Sequence, residues 1–197
     1  MNDHSAVSAS TVTPKRDAIL DAALELFSER TFASTSMPEL AQRAGVGAGT
    51  IYRYFDSKDA LVNALFQRWK TEMTDTVSGD IPAGLTPREQ FTHWWRGLWT
   101  FATEHPAAFL FLETHHHAAY LDAASRRAGA ELSDRAITYI RDGQRRGAIR
   151  KGSPEVLMAL VLGAFTGLVK SATEHGRVLN RTTLETSDDA VWALLAA

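Results

Sequence analysis

The stretch Ser36-Met37-Pro38-Glu39-Leu40-Ala41-Gln42-Arg43-Ala44-Gly45-Val46-Gly47-Ala48-Gly49-Thr50-Ile51-Tyr52-Arg53-Tyr54-Phe55 decides the fold. Serine followed three residues later by glutamate is a capping box, and Pro38 falls in the first turn, where its missing N–H does no harm. Leu40, Ala41 and Ala44 supply the apolar side of a short helix, which Gly45-Val46-Gly47 breaks. A second short helix follows from about Ala48 to Phe55, with Ile51, Tyr54 and Phe55 available for packing. Two short helices joined by a tight glycine turn form a helix-turn-helix pattern.

Upstream, a helix starts near Pro14 with Thr13 as its cap. Ile19, Ala22, Ala23 and Leu26 fall on one face, and Asp17, Asp21, Glu25 and Glu29 on the other. Lys15 and Arg16 lie in the first turn, where the helix dipole disfavours cations. A phosphate partner and a plain solvated end explain them equally well. Downstream, Asp56-Ser57 caps a fourth helix through Lys58, Leu61, Leu65 and Trp69, which fades by Gly79-Asp80-Ile81-Pro82. Longer helices are predicted over Pro87–Glu104, Pro106–Leu121, Ala124–Arg146, Pro154–Glu174 and Leu184–Leu195. Period-2 alternation does not persist, so the expected class is all-α. The expected layout is a flexible tail at 1–13, a helix-turn-helix domain at 14–60 and a helical ligand-binding and dimerisation domain at 61–197.

The chain has 197 residues, 45% of them apolar and 22% charged, and no cysteine. Disulfides, thiol catalysis and cysteine-based zinc sites are excluded. Residues 1–13 lack the basic and apolar regions of a secretory signal. The apolar run Val156 to Val169 is short for a bilayer. A soluble cytoplasmic protein without membrane contact is expected. The net charge of −2 argues against a basic footprint, so DNA binding must rest on local residues.

An α-helix fits the major groove of B-form DNA. In the candidate reading helix, Gly47, Ala48 and Gly49 let backbone come close to phosphate, and Thr50 suits a thymine methyl or a phosphate. Tyr52 and Tyr54 carry hydroxyls on rigid rings. Arg53 is the residue here able to contact guanine bidentately. Lys58, cationic at a helix start, suits a phosphate. Core packing is the competing explanation for a short helix with Tyr, Tyr and Phe.

These residues carry a resemblance. Ile19-Leu20-Asp21-Ala22-Ala23, Leu26-Phe27, Thr35-Ser36-Met37, Leu40-Ala41, Ala44-Gly45-Val46, Gly49-Thr50-Ile51-Tyr52, Tyr54-Phe55 and Ser57-Lys58-Asp59-Ala60-Leu61 together resemble the TetR family of bacterial transcriptional regulators. Beyond Leu61 the likeness is mainly one of helical layout. The resemblance implies an all-helical homodimer, most often a repressor released from operator DNA by a small molecule. It also implies DNA contacts from Ser36, Met37, Ala48, Gly49, Thr50, Tyr52, Arg53, Tyr54 and Lys58. There are two departures. Thr31 stands where the family commonly has glycine. Gly47 stands where it commonly has serine or threonine, so a weaker cap without a hydroxyl contact is expected there.

Phe91, Trp94, Trp95, Leu98, Phe101 and Ala102 form one apolar face, with Trp99 beside it and Phe109, Phe111 and Leu112 following. Either ordinary core or a pocket for an apolar or aromatic ligand accounts for them. The expected lining is Phe91, His93, Trp94, Trp95, Trp99 and Phe109. His115-His116-His117 cannot converge on one ion, because consecutive helical side chains diverge by about 100°. No metal or other cofactor is expected. Ala159, Gly163 and Gly167 make a smooth stripe, and Val191, Trp192 and Leu195 mark a second apolar helix. The resemblance makes this pair of helices the dimer interface. Two other classes stay open: a helical protein-interaction adaptor without DNA binding, and a histidine-metal enzyme.

Overall fold

The computed structural model describes residues 14–29, 32–114 and 119–197. The expected tail, the departure at Thr31 and the three histidines His115 to His117 lie outside the described residues. Those residues form α1 (Pro14–Glu29), a 3-10 turn (Phe32–Ser34), α2 (Met37–Arg43), α3 (Ala48–Tyr54), α4 (Lys58–Ser78), α5 (Pro87–Glu104), α6 (Pro106–Thr114), α7 (Ala123–Arg145), α8 (Pro154–Glu174) and α9 (Arg181–Leu195). One isolated antiparallel bridge, Ile149 to Ala196, is the β-structure among them. The fold class is all-α, as expected. The chain divides into two compact units at Val62/Asn63, so α4 contributes its first residues to one and the rest to the other.

In the first unit, the apolar face of α1 places Ile19, Leu20, Ala23 and Phe27 in a core with Leu40, Ile51 and Leu61. Each large side chain withdrawn from water contributes about 1.5–3 kcal/mol. The polar face of α1 also has a structural use. Arg43, in the last turn of α2, donates to Glu29 through both terminal nitrogens at 3.0 Å and to Glu25 at 3.1 Å. These bonds raise the arginine pKa further above its already high value, with Glu29 as the largest cause. The ion pairs join α1 to α2 on the surface, where such contacts stabilise only modestly.

The second unit contains the rest of α4 and α5 to α9. α5 opens with a capping box in which Thr86 and Glu89 satisfy each other's backbone N–H. Gly97 lets the two backbones approach closely: a Cβ there would lie 2.7 Å from the Val77 Cα of α4. α6 is described over Pro106–Thr114, and residues 119–120 form a turn, so the helix does not reach the Leu121 expected from periodicity. Beyond it, Asn63 accepts from the Asp122 N–H at 2.8 Å and donates to the Tyr120 carbonyl at 2.9 Å, which holds a turn before α7. α9 begins at Arg181, capped by Asn180, because its first turn is polar and apolar spacing alone finds only its later part. Arg88 of α5 grips Asp188 of α9 bidentately at 2.9 and 3.1 Å. Its guanidinium also lies over the rings of Phe91 and Trp192.

Candidate nucleic-acid interface and ligand cavity

The turn between α2 and α3 follows from Gly45. Its φ of +65° is left-handed backbone, which glycine adopts without a Cβ penalty. The Val46 N–H then reaches the Ala41 carbonyl at 2.9 Å and the Gly45 N–H reaches Gln42 at 3.2 Å, the paired bonds of a Schellman motif. The preceding capping box is fully formed between Ser36 and Glu39. Gly47 caps α3 in extended backbone without any side-chain bond, the weaker cap expected of glycine. Ile51 is fully buried and Phe55 nearly so, which anchors α3 from one side. On the other side Gly47, Ala48, Gly49, Tyr52 and Arg53 are exposed, with Thr50 and Tyr54 half-buried. Tyr52 is 53% exposed, a large ring turned to solvent rather than packed.

Two expected contact residues are placed differently. The Met37 side chain is buried in the core of the unit. Only its backbone, at the start of α2, remains on the side of Ser36, because the helix register turns the residue after the cap inward. Lys58 is held internally. Its ammonium donates to the Phe32 carbonyl at 2.7 Å and the Thr35 carbonyl at 2.8 Å, and lies 4.2 Å from the Phe32 ring centroid. A lysine at a helix start, otherwise unfavourable for the dipole, is thus explained by two carbonyls of the preceding loop. Arg16 lies over the Phe55 ring at 5.4 Å, a local partner for one of the two cations at the start of α1.

The second unit contains a partly open cavity of about 350 Å³, within the range of small-molecule sites. Of the residues expected at a pocket, Phe91, Trp94 and Trp95 line this cavity. His93, Trp99 and Phe109 do not. His93 sits on a separate surface depression, with its Nε2 3.4 Å from the Gly79 carbonyl. Trp99 is buried, and Phe109 is fully buried edge-on to Phe165. All three are aromatic, so composition alone cannot tell lining from packing. Reading the sequence missed the lining from α4 (Phe66, Lys70, Met73, Val77) and α7 (Tyr139, Ile140). Burial pushes the Tyr139 hydroxyl pKa up, and that hydroxyl donates to the Pro87 carbonyl at 2.7 Å. The Trp95 indole N–H donates to Ser187 at 3.1 Å. Among the described residues, no three metal-ligating side chains cluster.

Of the expected interface residues, Ala159, Gly163 and Gly167 are exposed along α8. Val191 and Leu195 are buried within their own unit, and Leu195 lines the cavity. Trp192 is half-buried against Phe91. α9 turns its apolar side inward because α5 packs against it, so Val191 and Leu195 are core. α8 is long and apolar enough by length and composition to cross a membrane, with a mean hydropathy of 1.7, yet only 22% of that window is buried. The helix has the bounds expected, and its apolar window extends beyond the run Val156 to Val169.

A helix-turn-helix with an exposed second helix, followed by a second helical unit that contains a cavity, is the arrangement of helical DNA-binding proteins with an appended helical domain. The comparisons are specific. Residues 19–65 match the model of bacterial regulatory proteins of the tetR family, and residues 66–196 match the tetracyclin repressor-like C-terminal domain. The chain belongs to the tetR family. It is 38% identical over 76 residues to the HTH-type transcriptional repressor Rv3405c of Mycobacterium tuberculosis, an alignment covering 39% of this chain and 40% of that protein. The chain thus spans about 40% of the length of the curated relatives it matches. A TetR family transcription regulator from Marinobacter aquaeolei VT8 superimposes with a TM-score of 0.81 at 22% identity, covering 92% of this chain and 95% of that one. AibR, solved in complex with isovaleryl coenzyme A and operator DNA, gives 0.70 at 20% identity, covering 92% of this chain and 98% of its own. At these identities the structural likeness shows the fold.

Proposed function

We propose that this chain is a cytoplasmic, non-enzymatic transcriptional regulator that binds operator DNA as a homodimer and is released by a small, largely apolar ligand. The observation that carries the reading is α3: Ile51 and Phe55 pin one side, while Tyr52 and Arg53 are turned out from the opposite side. Arg53 supplies base readout, Tyr52 and Tyr54 supply hydroxyls for phosphate, and the small residues Gly47 to Gly49 bring backbone N–H groups close to the duplex. Ser36, exposed at the cap of α2, adds a second contact point.

A dimer is supported by α8. Val156 and Leu160 are 57% and 49% exposed, and Gly163 and Gly167 stand open where a second helix can come close. Burying this stripe against a second copy removes apolar surface that is costly to leave in water. Two reading helices must then enter successive major grooves, about 34 Å apart. The cavity takes part through α4, which supplies Phe66, Lys70, Met73 and Val77 to its wall and whose first residues belong to the DNA-binding unit. A ligand that prefers the dimer geometry with the wrong spacing shifts the population away from DNA. AibR, solved with both a ligand and operator DNA, supports such a pairing of functions.

Fluorescence anisotropy with duplexes flanking the chain's own coding region tests the reading. We expect salt-dependent, sequence-selective binding that Arg53→Ala weakens. Binding without sequence preference, or none, would leave a helical adaptor instead.

A further inference from the structure

The cavity wall is largely apolar and aromatic, and its charge is confined to one place. Lys70 of α4 and Glu113 of α6 face each other there, with Lys70 Nζ 3.1 Å from Glu113 Oε1. Their side chains are 12% and 11% exposed. They are the charged residues of the lining among the described residues. The Tyr139 proton is already given to the Pro87 carbonyl and the Trp95 indole proton to Ser187. Ser133 and the Trp94 indole N–H, which is buried without a hydrogen-bond partner, remain as neutral polar groups of the wall, and discrimination by charge falls to the ion pair.

We infer that the cavity selects an electrically neutral amphiphile, an aryl or alkyl body with one terminal hydroxyl or comparable donor–acceptor group, and rejects the matching carboxylate and the matching amine. The argument is one of charge balance. A carboxylate that takes Lys70 leaves the Glu113 charge, itself largely buried, without its partner against a mostly apolar wall. An ammonium that takes Glu113 does the same to Lys70. Breaking such a pair is unfavourable, because the abandoned ion keeps its desolvation penalty. A hydroxyl imposes no such choice. The ammonium has three protons and the carboxylate two oxygens, so a hydroxyl oxygen can accept from Lys70 while its proton goes to Glu113, and the pair stays intact. The aromatic rings of Phe91, Trp94 and Trp95 cover the body of the ligand.

This inference rests on the cavity being a ligand site, and it is tested without DNA. Titration calorimetry at pH 7 compares 4-phenylbutan-1-ol, 4-phenylbutanoate and 4-phenylbutylamine on the full chain. The alcohol should bind roughly tenfold or more tightly than either ion, a difference of about 1.4 kcal/mol. Glu113→Gln frees Lys70 and should reverse the order for the carboxylate. Lys70→Met frees Glu113 and should do so for the amine. An ion that binds the wild-type protein as tightly as the alcohol overturns the inference, and so does the absence of binding by all three. The wild-type comparison decides the matter even if a variant fails to fold. Operator anisotropy with the saturating alcohol is read separately. Selective binding with unchanged operator affinity would sink the release mechanism and leave the charge selectivity standing.

Discussion

At the scale of single residues, local chemistry sets clear expectations. Arg53→Ala should cost about 1–3 kcal/mol at the operator and relax specificity at one base position. Equal weakening on every duplex would instead mean a phosphate contact. Lys58 has a different part. Its two hydrogen bonds to Phe32 and Thr35 are charge-assisted, so Lys58→Ala should lower the stability of the folded chain by about 1.5–3 kcal/mol in urea denaturation. The salt slope of DNA binding should stay as it is; a fall of about one unit would restore the phosphate role. Gly45 and the Ser36–Glu39 box were legible in the sequence because a cap and a left-handed turn are local. The partners of Lys58 were not, since they lie 23 and 26 residues away in the chain.

At the scale of elements, close approach and unburied faces matter most. Gly97→Ala should destabilise by about 1–3 kcal/mol, because a Cβ at 2.7 Å from Val77 Cα pushes α5 off α4. Thermal unfolding measures it, and an unchanged midpoint would mean the contact relaxes freely. On α8, Leu160→Glu puts a charge into the exposed apolar stripe. Sedimentation velocity should then show a monomer where the unaltered chain sediments as a dimer. A dimer that survives the substitution moves the interface elsewhere. Most helix boundaries follow from caps and prolines, as at Pro87, Pro106 and Pro154. The turn that precedes α7 does not, because Asn63 on α4 shapes it.

For the whole molecule, pH dependence gathers several helix starts. Glu89, Asp122 and Glu155 are held below the usual carboxylate range, chiefly by hydrogen bonds with Thr86, Ser125 and Ser153 respectively. A depressed folded pKa means stability that is complete above the unfolded value and lost as pH falls through the folded one. The melting temperature should therefore be flat, as far as these groups matter, from neutral pH down to about 5, and fall below about pH 4. A triple replacement by Gln and Asn should flatten that acid limb; an unaltered limb would put the acid sensitivity in other groups. The sequence by itself determined the all-helical class, the helix-turn-helix and the small-residue stripe of α8, because periodicity, caps and turn glycines act within a few residues. Only the tertiary structure decided which aromatics line the cavity, that Val191 and Leu195 are core, and that Lys70 meets Glu113. Those outcomes depend on partners tens of residues apart, such as Lys70 and Glu113 at 43 and Arg88 and Asp188 at 100, which no local pattern encodes.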